Sequence, residues 1–123
     1  MTIKDGDRVN PIKITDKETN HVYILDFDRE SIKFAEAQGF DWHLMRSQTV
    51  TMTELLWYCA FRRYDKKISR EKAVAMLYEL GGMKEAWIDR LSDLWVQGMS
   101  SLVADEDASE EDAKNAKMTV TLD

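Results

Sequence analysis

The chain has one cysteine, one proline, five glycines and two histidines in 123 residues. A single cysteine, Cys59, excludes an intramolecular disulfide and fits a reducing compartment. One cysteine and two widely separated histidines fall short of the clustered soft ligands a zinc centre needs. No apolar run approaches the ~20 residues that span a bilayer, and the polar Met1–Asp7 stretch does not read as a secretory leader. A cytoplasmic protein is the expectation. Glycine-rich phosphate loops are missing too, since Gly81-Gly82 is followed by neither Lys-Ser nor Lys-Thr and has no further glycine at useful spacing. A helix stop accounts for that pair.

What is present is a core-forming composition, 44% hydrophobic and 33% charged, sufficient for one domain without staples. The formal net charge is −6, and it is unevenly placed. Residues 1–103 carry sixteen acids and fifteen bases, whereas residues 104–123 carry seven acids against Lys114 and Lys117. A near-neutral body argues against general duplex binding, which needs a basic surface to release counterions from phosphate. The division expected is a flexible N-terminus at 1–10, a single globular domain at 11–103 and a flexible acidic tail at 104–123.

Along the chain, Ile12 and Ile14 alternate with Lys13, Asp16–Asn20 is turn chemistry, and Val22–Leu25 follows, so residues 11–26 read as a β-hairpin. Such a hairpin is unstable alone and must pack on something. Asp28 is placed to cap a helix over 29–38 that Gly39 closes. Residues 40–45 fit strand, loop or helix start equally. Thr51-Met52-Thr53-Glu54 has the form of a capping box, placing a helix start at Thr51 and its end near Tyr64. Ser69 caps a further helix up to Gly81-Gly82. A last helix spans about Met83 to Val103, where Ile88, Leu91, Trp95, Met99 and Leu102 form one seam, widened by Trp87 and Leu94. Beyond it, Met118–Leu122 has the pattern of a strand that would pair if an edge were offered. The fold class is α+β, mainly α: an N-terminal β-hairpin packed on a bundle of about four helices, then the acidic tail.

Candidate chemistry is sparse. Cys59 lies in Trp57-Tyr58-Cys59-Ala60-Phe61, a setting for burial rather than for a nucleophile. Asp26, Asp28 and Glu30 could in principle attract a hard cation, but helix capping explains them more simply. Arg62, Arg63, Lys66, Lys67, Arg70 and Lys72 form a basic cluster diluted by Asp65 and Glu71. It reads as a nucleic-acid patch, as complement to a helix end, or as a dock for the acidic tail; the helix-end reading is the simplest. No catalytic, cofactor-binding or metal-ligating residue is assigned, and the chain is read as a non-enzyme. Four tryptophans and seven methionines in so small a body are residue types enriched where proteins meet proteins. Trp87, Leu91, Trp95 and Met99 are the candidate partner-binding residues, with core packing as the competing use of the same stripe.

Taken in order, the hairpin IKITDKETNHVYILDFD, the short helix ending AEAQGFDW, the stretch TMTELLWYCAFRRYDKKISREKAVAMLYELGG and the long helix MKEAWIDRLSDLWVQGMSSL resemble the layout of the tail assembly chaperones of long-tailed bacteriophages. The resemblance covers about residues 11–103 and lies in the layout, with no invariant short motif behind it. It implies a nonstructural protein of virion assembly that coats the helical tape-measure protein and keeps it soluble until the tube polymerises. Its implied partners are the tape-measure protein and the tail-tube protein, with self-association also open. Such genes often yield a longer product by frameshifting near the end of the short frame. A different reading makes the chain a small phage or bacterial inhibitor of a nuclease or nucleic-acid enzyme, acting through an acidic surface. A third makes it a structural subunit of a tail or capsid.

Overall fold

The computed structural model describes residues 8–100 together with Met118, Thr121 and Leu122. Its elements are β1 (Ile12–Thr15), β2 (Val22–Leu25), α1 (Arg29–Ala37), a short 3-10 helix (Trp42–Leu44), α2 (Thr49–Ala60), α3 (Arg70–Glu79) and α4 (Glu85–Met99). This is the mainly helical α+β arrangement expected, with the antiparallel hairpin at the N-terminal side.

The hairpin turns where Asp16 gathers the chain. Its carboxylate accepts the amides of Glu18 and Thr19, and Asn20 takes the left-handed φ of 63° that asparagine tolerates. The register pairs Ile12 with Leu25 and Ile14 with Tyr23, so these four side chains share one face. Tyr23 and Leu25 are buried there, which gives the hairpin the support it cannot supply for itself.

Asp28 caps α1 as the sequence implies. Its carboxylate accepts the Ser31 amide while the Ser31 hydroxyl accepts the Asp28 amide, a reciprocal box. Gly39, at φ 95°, ends the helix in a conformation that L side chains resist. The ambiguous stretch after it becomes the 3-10 helix, opened by Asp41 accepting from the His43 amide.

The capping box expected at Thr51 and Glu54 is not used. α2 begins two residues earlier, at Thr49, with Gln48 at its N-cap and no side chain bonding there. The reason is continuity with the preceding turn: Leu44 accepts from the Gln48 amide at 2.8 Å, and Gln48 accepts from Met52 at 2.9 Å. Helical bonding thus runs through the segment before Thr51 can open anything. Glu54 is free to accept instead from the Tyr78 hydroxyl of α3. The far end of α2 is also shorter than expected. The Ala60 carbonyl accepts from the Asp26 amide of the hairpin exit at 3.0 Å, while the Tyr64 amide turns to Phe61, so the helix stops at Ala60 rather than Tyr64.

α2 is the centre of the molecule. Leu55, Leu56, Trp57, Cys59 and Ala60 are all buried, and the apolar residues that cover more than one stripe of the sequence cover more than one side of the helix here. The Trp57 indole N–H donates to the Ala73 carbonyl at 2.8 Å, tying α2 to α3 while satisfying a buried donor. α3 is capped by the Ser69 hydroxyl, which accepts from Lys72, and is followed by Gly81 and Gly82 at positive φ.

Ordered structure begins before the expected boundary at Pro11. The Gln97 side-chain amide pairs with both backbone groups of Val9, accepting its N–H at 2.7 Å and donating to its carbonyl at 3.2 Å. Arg90 donates to the Asn10 carbonyl. Residues 9 and 10 are therefore fastened to α4 rather than loose. The expectations for residues 1–7, for Leu102 and Val103 of the last helix, and for the acidic stretch 104–117 lie outside the described residues, as do Thr119 and Val120. Met118, Thr121 and Leu122 are exposed.

Candidate functional site

α4 carries the residues singled out as a contact surface, and the fold divides them. Leu91 is fully buried and Trp95 is 7% exposed. The Trp95 ring stands 5.0 Å from Phe27, 5.2 Å from Phe40 and 5.6 Å from Trp42, centroid to centroid, at the middle of an aromatic cluster. Both side chains are committed to the core. Trp87 is half-buried, stacked on Trp57 at 5.8 Å with Lys84 Nζ 5.2 Å from its ring centroid. Met99 is 41% exposed and reaches solvent. The four do not form one presented surface.

What α4 does present is the flank of its seam. Ile88, Ser92, Val96 and Met99 follow at helical spacing, and Val96 and Met99 are both exposed. Val96 was legible only as the residue eight positions after Ile88. The helix cannot rotate to bury it, because Gly98 holds the opposite side tightly. A Cβ at Gly98 would lie 2.7 Å from the Phe27 carbonyl oxygen and 3.0 Å from Ile32 Cδ1.

A second apolar feature has no counterpart in the sequence pattern. Between the hairpin and α3 lies a groove of about 560 Å³, with Ile14, Tyr23, Met76 and Leu80 among its apolar walls and Lys72 and Glu79 among its charged ones. It arises from tertiary packing of segments some fifty residues apart. Leu80 and the nearby Tyr78 on α3 are exposed.

The chemically versatile side chains are engaged otherwise. Cys59 is fully buried, and desolvation pushes its thiol up to about 12, so it remains protonated at neutral pH. Asp26 is buried, accepting the Phe27 amide at 2.8 Å and Arg63 Nη1 at 2.8 Å. Desolvation raises its carboxyl above its ordinary value despite those bonds. For Asp28, burial pulls upward but the bonds from Ser31 and the charge of Arg63 outweigh it, holding the carboxyl below its ordinary value. Arg62 lies over the Phe34 ring and donates to the Lys66 carbonyl, and Lys72 Nζ stands 5.8 Å from the Tyr23 ring centroid. The basic cluster is thus partly absorbed by packing. Among the described residues, no three His, Cys, Asp or Glu side chains gather where they could hold a metal ion, and no helix is long and apolar enough to cross a membrane.

The chain matches no curated protein and no solved structure. A family model spanning residues 4–122 does match, and the chain therefore belongs to the family described as "Domain of unknown function (DUF5055)".

Proposed function

We propose that the protein is a non-enzymatic tail assembly chaperone of a long-tailed bacteriophage, acting in the host cytoplasm by covering apolar helical stretches of the tape-measure protein until the tail tube forms around it. The observation that carries the reading is the exposed flank of α4. Once Leu91, Leu94 and Trp95 have filled the core, Val96 and Met99 still face solvent beside partly covered Ile88. A rigid helix with a leftover apolar edge suits an apolar helical client, and methionine adapts its shape to varied partners. The layout of hairpin, short helix, central helix pair and long terminal helix, which resembles that chaperone family, supports the same reading.

One flank is too small for tight one-to-one binding. Many copies spaced along a long client would cover it through repeated weak contacts, which suits a chaperone that must later be displaced. The test is co-expression with the long helical protein encoded next to this one. Soluble client should rise in the presence of the wild-type chain and fall back with Val96→Asp and Met99→Asp together. Both positions are exposed, so the variant keeps its fold, which circular dichroism checks. A client equally insoluble with and without the wild-type chain would refute the proposal.

A further inference from the structure

The last turn of α4 opens onto a charged trough. Gln97 and Gly98 line a cavity of about 490 Å³ together with Arg8, Asp28, Arg29 and Arg63. A second hollow of about 280 Å³ shares Asp28, Glu30 and Arg63 with the first and extends to Phe34, Arg62 and Lys66. The two hollows adjoin along Asp28, Glu30 and Arg63 and together make up the trough, between the end of α4 and the turn after α2.

Its charges do not cancel. Five cations line it: Arg8, Arg29, Arg62, Arg63 and Lys66. Facing them are Asp28 and Glu30, with Asp26 behind Arg63. Arg63 is largely spent, 2.8 Å from Asp26 and 3.6 Å from Asp28. Arg29 has only a loose, exposed contact with Glu30 at 3.9 Å. Arg8, Arg62 and Lys66 make no ion pair among the described residues. The trough keeps a positive surplus at both ends.

The sequence leaving α4 supplies the opposite charge at short range. Five residues after Ser100 comes Asp105, followed by Glu106, Asp107, Glu110, Glu111 and Asp112, six acids in eight positions with no base among them. At about 3.3–3.6 Å per residue, five residues reach up to about 18 Å. The first acids can therefore meet the near end of the trough, and the remaining seven residues can follow it toward Arg62 and Lys66. We propose that the segment Asp105–Asp112 docks in this trough of its own chain. Each exposed pair is weak, but a tether this short holds the acids at an effective concentration on the order of millimolar, favouring the chain's own segment over a second copy. The docked segment covers the trough at low salt and must be displaced by any acidic partner that uses it. This contact stands independently of the chaperone reading.

The test uses the full chain carrying Ser109→Cys with a nitroxide label, which the buried Cys59 does not take up, and amide line broadening as the readout. At about 0.01 M salt, where the Debye length is roughly 30 Å, the amides of Arg8, Glu30, Arg62 and Lys66 should broaden far more than those of Glu85–Asp89 at the opposite end of α4. At about 1 M salt, with a Debye length of roughly 3 Å, the difference should vanish. Replacing the six acids by their amides should abolish it without touching the folded body, and Arg62→Glu with Lys66→Glu should reduce it at least severalfold. Uniform broadening over the whole surface, or trough broadening that persists in the neutralised variant, would overturn the proposal. So would broadening seen only when labelled chain is mixed with a separate isotope-enriched chain, since that places the segment on a second copy.

Discussion

Replacing Trp95 by alanine separates the two uses that a tryptophan on an amphipathic helix can have. Were Trp95 a docking side chain, its loss would weaken client binding and leave folding almost untouched. Its 7% exposure and its contacts with Phe27, Phe40 and Trp42 place it in the core instead. Truncating a buried tryptophan costs about 3–5 kcal/mol, because the cavity left behind collapses only in part. A domain of this size has about 5–15 kcal/mol in all, so the variant should be marginal. With a melting-point change of about 4–8 °C per kcal/mol for a body of roughly this length, the expected fall is at least about 12 °C. Urea unfolding followed by far-ultraviolet circular dichroism measures the free energy directly, and Met99→Ala serves as the comparison, with an expected change within about 0.5 kcal/mol. A Trp95→Ala loss below about 1 kcal/mol would refute the packing argument and return this residue to the surface.

Gly98→Ala should destabilise by about 1–3 kcal/mol even though alanine favours helix, because the new Cβ meets the Phe27 carbonyl oxygen at 2.7 Å and the turn cannot yield without moving Asp26 and Asp28; thermal melting reads the sign directly. Asp28→Ala should cost about 0.5–2 kcal/mol through loss of the α1 cap. Because the folded carboxyl of Asp28 sits below its ordinary value of 3.8, its contribution is present above that pH and is lost as pH falls through the lower folded value. The stability gap between wild type and Asp28→Ala, measured by urea titration, should therefore narrow on acidification below about pH 3.8, and a gap that widens would contradict the ionised cap.

Local rules were legible wherever a short segment settles its own hydrogen bonds. Asp28 and Ser69 cap the helices that follow them, and Gly39, Gly81 and Gly82 take positive φ where helices end. The capping-box pattern at Thr51 failed because bonding from Leu44 and Gln48 reached that point first, and a four-residue motif carries no information about the turn preceding it. The end of α2 failed for a longer-range reason, the claim of the Asp26 amide on the Ala60 carbonyl. The exposed apolar flank of α4 was half legible. Helical spacing identifies the apolar stripe of α4 but not which of its sides the rest of the chain will cover.

By itself the sequence determined the hairpin, four helices with the bounds of α1 and α3, the burial of Cys59 and the separation of a near-neutral body from an acidic end, since periodicity, caps and charge act over a few residues. Only the tertiary structure decided that Trp95 belongs to the core while Val96 and Met99 remain outside. It also decided that Val9 is strapped to Gln97, and that Arg8 and Arg29 gather at the end of α4 while Arg62 and Lys66 line the adjoining hollow. Those outcomes depend on close approach between segments far apart in the chain, which local pattern cannot encode.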